Sequence, residues 1–190
     1  MANIVCKTVY FEEPGPKNTE ETLKLAKKRA EELGIKNIIV ASTTGETGAK
    51  ASKLFKDYNL IVVSHVTGFR KPDFQEFLPK NRNTIKKNGA KILTTTHAFG
   101  TLGRAVNKKF GTIQVDEIAA NILRLFGQGM KVTCEIACMA ADAGLIRTDE
   151  EAIVIGGTGS GADTAAVLKP SNTHAFFDLR IKEIKCKPRL

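Results

Sequence analysis

No apolar run in this 190-residue chain approaches the roughly 20 residues that a membrane span requires. The first residues, Met1-Ala2-Asn3-Ile4-Val5-Cys6-Lys7, carry no signal-peptide core, so the expected location is the cytoplasm, with no membrane partner. Cysteine is sparse. The four at 6, 134, 138 and 186 form no C-x-x-C pair. Cys134 and Cys138 are spaced to share a helix face, but no histidine lies near them in sequence, so zinc lacks its remaining ligands. These thiols read as small buried hydrophobes in a reducing compartment. The three histidines, at 65, 97 and 174, have no metal-site spacing either, and no metal is expected. Walker A spacing, a G-x-S-x-G nucleophile elbow in its proper setting, internal repeats and low-complexity linkers are all missing.

Negative charge is the scarcer sign. Lysine and arginine number 29 against 20 acidic residues, a net +9. The basic residues are scattered, with the densest cluster at Lys182, Lys185, Lys187 and Arg189, and no RNA-binding aromatic motif or zinc knuckle accompanies them. Nucleic acid is therefore disfavoured as the main partner. A solvated basic surface, or attraction for phosphorylated small molecules, fits better. Nothing in the sequence fixes the oligomeric state, and a homo-oligomer stays open.

What is present is an alternation of strand and helix patterns. Strands are expected at Ile4–Phe11, Asn37–Ala41, Leu60–Ser64, Lys91–Thr95, Ala152–Ile155 and Phe177–Lys187, the last with a bulge near Lys182. A helix should begin at Asn18, with Glu21 three residues on as in a capping box, and stop at Gly34. Further helices are expected from Gly48 to about Lys56, as one turn at Thr84–Asn88, and from Thr133 to Ala143 with Gly144 as a left-handed cap. Asp116 can cap a helix that buries Ile118, Ile122, Leu125 and Phe126, broken by Gly127 and Gly129; Pro170 should end a short helix after Asp163. The segment Thr101–Phe110 has no clear pattern. The whole reads as a single α/β domain over residues 1–190, a three-layer α/β/α stack on a mainly parallel open sheet with an antiparallel last strand.

In such sheets ligands bind beyond the carboxyl ends of the strands. Those ends are polar here: Ser42-Thr43-Thr44-Gly45-Glu46-Thr47-Gly48, then His65 and Thr67, then Thr96 and His97, then Gly156-Gly157-Thr158-Gly159-Ser160. The first is a strand that feeds a hydroxyl and glycine loop and then a helix. It reads either as a phosphate cradle, with N–H donors and the helix dipole facing an anion, or as a tight turn capped by threonine. The second glycine loop matches GxGxxA, but it follows a late strand and no acidic residue stands at the expected distance, so a dinucleotide fold is not indicated. Asp163 is either a hydrogen-bond partner for ribityl, ribose or ring N–H groups, or a helix N-cap. His65 and His97 are candidates for acid–base work or for purely structural hydrogen bonds. The segment 69–86 has the length of a lid.

The stretch "IIVASTTGETGAKA", Ile38–Ala51, resembles the first strand and phosphate loop of the pyruvate kinase C-terminal domain. "AADAGLI", Ala140–Ile146, and "AIVIGGTGSGADTAAVL", Ala152–Leu168, resemble later pieces of that domain, in the same order. In pyruvate kinase those two loops hold the phosphates of a sugar effector, and catalysis belongs to a separate barrel. The resemblance thus implies a fold and a phosphate pocket, and no phosphoryl transfer from phosphoenolpyruvate. A stand-alone archaeal and bacterial group of this fold, associated with FMN, is the nearer likeness. It implies FMN as cofactor, with its phosphate on Ser42–Gly48 and its ring near the other strand ends, Phe69, Phe99 or Met130 lining the slot. The expected function is therefore a phosphate-ligand-binding protein that takes FMN, as a flavin-dependent oxidoreductase of unknown substrate. The alternative is a regulatory module for a sugar phosphate or another nucleotide.

Overall fold

The computed structural model describes residues 3–189. Its sheet contains β1 (Val9–Phe11), β2 (Asn37–Ala41), β3 (Asn59–Val63), β4 (Lys91–Leu93), β5 (Ala152–Gly156), β6 (Thr164–Lys169) and β7 (Arg180–Pro188). Their spatial order is β1-β7-β6-β5-β2-β3-β4. The pairs β2–β3, β2–β5, β3–β4 and β1–β7 are parallel. β6 is antiparallel to both β5 and β7. The last strand therefore does meet its neighbour antiparallel, as expected, and Lys182 falls out of register between Ile181 and Glu183, which pair with Leu168 and Val167.

Alternation along the central strands builds two cores. Ile38, Val40, Leu60, Val62, Ile153 and Ile155 face one side, where α1 (Thr19–Leu33), α2 (Glu46–Leu54) and α3 (Pro79–Lys87) pack with Leu23, Ala26, Ala51 and Ile85. Ile39, Ile61, Val63 and Val154 face the other, under α5 (Val115–Arg124) and α6 (Gln128–Asp142). A strand covered on both faces has no polar alternation, which is why these segments are near-continuous Ile/Val runs. The three-layer architecture is the result.

Several local expectations change. The first strand is limited to Val9–Phe11; Ile4 and Val5 lie exposed in irregular chain. α1 starts one residue after Asn18 with no side-chain cap, since a 3-10 turn, Pro16–Asn18, leads into it. Its left-handed stop at Gly34 is present. The single turn expected at Thr84 is the end of the nine-residue α3, which Pro79 opens. Thr101–Phe110 contains α4 (Leu102–Phe110).

Gln114, not Asp116, caps α5, in a reciprocal arrangement with Glu117. The apolar stripe of that helix faces outward: Ile118, Ile122, Leu125 and Phe126 are exposed, while Ala120 and Leu123 are buried. Gly129 does not break a helix but sits inside α6. A β-carbon there would lie 2.0 Å from Thr164 Oγ1, so the glycine lets α6 settle on β6. No helix follows Asp163. Thr164–Leu168 is buried throughout and pairs on both edges, so this alanine-rich segment is strand β6.

Candidate functional site

The carboxyl ends of β2, β3, β4 and β5 open onto one cavity of about 650 Å³. That size suits a small cofactor or metabolite. The loop after β2 forms its most polar wall. Ser42 is buried, and its Oγ accepts the Gly48 N–H at 3.0 Å. Gly45 takes a left-handed φ of 89°, and a β-carbon there would lie 2.7 Å from both Asn81 and Phe77. The Thr44 carbonyl accepts the Leu78 N–H and the Asn81 amide at 3.1 and 2.9 Å, so α3 pins the loop from behind. Among the described residues, the N–H groups of Glu46 and Thr47 have no protein acceptor. They stand at the positive end of α2, beside the cavity-lining hydroxyls of Thr43, Thr44 and Thr47.

The β3 and β4 ends meet in an aromatic cluster. The Phe69 ring lies 4.5 Å from that of His65 and 5.2 Å from that of His97, centroid to centroid. The Arg104 guanidinium stands 5.0 Å over Phe69. His65 Nδ1 meets Glu76 Oε2 at 2.9 Å, and its Nε2 meets Thr43 Oγ1 at 3.3 Å. Arg70 binds the other Glu76 oxygen at 2.7 Å. His97 Nε2 accepts the Val66 N–H at 3.3 Å. Burial, with smaller contributions from His65 and nearby cations, pushes the His97 imidazole down to about 4.

α6 supplies the floor. Lys131 and Glu135, both buried, pair at 2.5 Å, and Glu135 Oε1 accepts the Phe99 N–H at 3.1 Å. Burial holds the Lys131 amine below the usual lysine range, against the opposing pull of Glu135. Five cationic side chains line the cavity, Lys50, Arg70, Arg104, Arg124 and Lys131, against the carboxylates of Glu46 and Glu135. Lys50 is paired with Glu20, Arg70 with Glu76 and Lys131 with Glu135, which leaves Arg104 and Arg124 without an acidic partner among the described residues to attract an anion.

Of the residues singled out in sequence, Ser42, Thr43, Thr44, Glu46, Thr47, His65, His97, Gly157, Gly159 and Ser160 line the cavity. Gly45 and Gly48 shape the loop from outside it: a β-carbon on Gly48 would lie 2.5 Å from Val62 Cγ1. Thr67 and Thr96 are exposed away from it, Thr67 accepting from Gln75. Gly156 ends β5 beneath α6, and Thr158 does not reach the cavity. Asp163 is fully buried, and its carboxylate accepts the Gly15 and Thr158 N–H groups and the Thr164 hydroxyl. It is neither a helix cap nor turned to the cavity; it closes the glycine loop onto the Pro14–Pro16 segment.

Phe99 and Met130 lie in the core, and the apolar lining comes from Phe69, Val132, Ile136 and Met139. Sequence reading missed Lys131 and Glu135. Their signal was a charged pair four apart inside the otherwise small and apolar run "GMKVTCEIACMAA". Arg104, Arg124 and Glu76 had no local signal at all. No group of three metal-ligating side chains occurs among the described residues, and no helix among them is long and apolar enough to cross a membrane.

A family model described as the pyruvate kinase alpha/beta domain matches residues 20–169. Among solved structures, a pyruvate kinase from Cryptosporidium parvum is similar at 15% identity, with 80% of this chain and 22% of that one covered and a TM-score of 0.39. A second pyruvate kinase structure from that organism has 15% identity, 80% and 23% coverage and a TM-score of 0.41. An O-ureido-L-serine synthase gives 15%, 72% and 50%, and 0.32. The chain spans less than a quarter of the length of those pyruvate kinases. Most of the chain lies within the family match, and it belongs to the pyruvate kinase alpha/beta domain family.

Proposed function

We propose that this member of the pyruvate kinase alpha/beta domain family binds a phosphorylated small molecule at the carboxyl edge of its sheet, and that the ligand is FMN. One observation carries the reading: the N–H groups of Glu46 and Thr47, at the start of α2, have no protein acceptor, and both residues line a cavity together with Thr43, Thr44, Arg104 and Arg124. Backbone donors at a helix start, backed by positive charge, are a general device for holding phosphate.

The residues present suit FMN. The loop of Thr43, Thr44, Glu46 and Thr47 would take the phosphate. The Phe69 ring would give the isoalloxazine an aromatic face, with His65 inclined to it at 43°, and Ile136 and Met139 an apolar one. When bound, a flavin supplies hydride and single-electron transfer. The chain's own part is to bind and orient the ring and to limit its contact with water. An FMN-dependent oxidoreductase of unknown substrate is the activity this arrangement serves.

An absorption spectrum of the purified protein, before and after incubation with FMN and desalting, tests this. Flavin bands that survive desalting are expected. A colourless protein that still binds inorganic phosphate sinks FMN and leaves the phosphate site. In that event a regulatory role toward a sugar bisphosphate takes first place. It is favoured by Arg104 of α4 and Arg124 of α5, two cavity-lining guanidiniums with no acidic partner among the described residues, apart from the α2 start that would take the first phosphate. Selective thermal stabilisation by a sugar bisphosphate over FMN would mark it.

A further inference from the structure

Thr43, His65 and Glu76 stand in a line. Glu76 is buried on the loop between β3 and α3, where Arg70 holds one of its oxygens and His65 Nδ1 the other. A carboxylate removed from water needs such partners. Its consequence for the imidazole is specific. With the Nδ1 proton directed at Glu76, the neutral ring leaves Nε2 as an acceptor. The group in front of Nε2 is the Thr43 hydroxyl, at 3.3 Å, which lines the cavity. Catalytic hydrogen bonds of this kind are commonly long before ligand arrives. Beside Thr43 are the unbonded N–H groups of Glu46 and Thr47, placed to receive negative charge.

We propose that Thr43 is a base-activated nucleophile for phosphoryl groups bound at this loop, with His65 as its proton acceptor and Glu76 as the positioning residue. The proposal rests on the reading of the loop as a phosphate site and not on FMN as its ligand: the relay would cleave FMN's own monoester, so FMN recovered intact after incubation overturns the relay and keeps that reading. The step balances as hydrolysis of a phosphate monoester. Thr43 Oγ forms a bond to phosphorus as the bond to the leaving oxygen breaks. The hydroxyl proton passes to His65 Nε2 and from there to the leaving alcohol. Water then attacks the phosphothreonine and gives a proton to His65. Orthophosphate departs, and that proton returns to Thr43 Oγ. The Glu46 and Thr47 N–H groups, at the start of α2 beside Thr43, would receive the charge on the equatorial oxygens.

The test uses the full chain with p-nitrophenyl phosphate as probe, alongside calorimetric binding of inorganic phosphate. The expected results are release of p-nitrophenol, phosphothreonine at position 43 after acid quench and mass spectrometry, and a loss of about 100-fold or more in turnover for Thr43→Val and for His65→Gln. Thr43→Ser, which keeps the attacking oxygen, should lose far less turnover than Thr43→Val, and a urea melt of Thr43→Val that matches the parent chain shows that its loss is not misfolding. Glu76→Gln should lower kcat by about tenfold or more and displace its pH profile, with phosphate affinity retained. Phosphate binding with no turnover, or with turnover indifferent to Thr43→Val, overturns the relay and leaves the site. Absence of phosphate binding overturns both.

Discussion

Two loops leave the same edge of the sheet, border the same cavity and are held in different ways. The loop after β2 runs into helix α2 and keeps two N–H groups and three threonine side chains toward the cavity. The loop after β5 is richer in glycine and turns back into β6; Gly157, Gly159, Ser160 and Gly161 line the cavity, while its one carboxylate works inside the protein. Asp163 collects the Gly15 and Thr158 N–H groups and the Thr164 hydroxyl, and its own N–H donates to the Gly156 carbonyl. Glycine density thus marks close backbone approach, and the element that the loop enters decides how the loop is held: by the helix start after β2, by a buried carboxylate after β5. A helix leaves its first N–H groups free; the ladder of β6 reaches only to the Gly156–Thr164 pair and leaves the loop before it to be held by Asp163.

The sharpest way to break this contrast is Asp163→Ala. It strands a buried N–H donor at Gly15, a half-buried one at Thr158 and the buried Thr164 hydroxyl, and hydrogen bonds to a carboxylate are each worth more than neutral ones. The expected loss is about 4 kcal/mol in urea unfolding. Phosphate affinity of the fraction that remains folded should hold. A loss below about 1 kcal/mol would show that the second loop does not depend on its carboxylate. Gly48→Ala probes the first loop, where the added carbon meets Val62 at 2.5 Å and Ile85 at 3.0 Å. Overpacking of that kind costs about 2 kcal/mol. Here phosphate binding should weaken too, because α2 must shift away from β3.

The strand ends were legible because buried Ile/Val runs stop abruptly in hydroxyls and glycines, and burial on both faces forces that pattern. The charged half of the site was not. Arg104, Arg124, Lys131 and Glu135 lie on helices that meet the loop only after the sheet has formed, and nothing local separates them from solvated charges. β6 was misread for a related reason: "TAAVL" suits a buried helix as well as a buried strand, and its identity depends on partners on both sides. The α5 stripe shows the complementary limit. Periodicity tells which side chains share a face, but not whether the fold covers that face, and Leu125 is 83% exposed.

A third strand end adds a case between the two loops. His97 lines the cavity, but its Nε2 already accepts the Val66 N–H. Burial, aided by the positive groups around it, depresses its proton affinity from 6.5 to about 4. Between those pH values the unfolded chain binds more protons than the folded one. Stability contributed by neutral His97 is therefore present above pH 6.5 and is lost as pH falls toward 4. The change is on the order of 1 to 2 kcal/mol after allowing for its residual solvent contact. His97→Gln should flatten that part of the stability–pH curve measured by urea melts. An unchanged slope would place the charge in contact with water.

Ser42→Ala is the smallest change and the finest probe of the comparison. Ser42 is the one hydroxyl of the first loop that behaves like the second loop, since its Oγ is given to the Gly48 N–H and not to the cavity. Losing that bond should cost about 1 kcal/mol, as for a helix cap. It also releases a third N–H at the start of α2, next to those of Glu46 and Thr47. If free donors are what the anion reads, phosphate affinity of the variant should hold or rise slightly in calorimetry while its melting temperature drops. If affinity instead falls in step with stability, the placement of the loop by Ser42 outweighs the number of donors it leaves open.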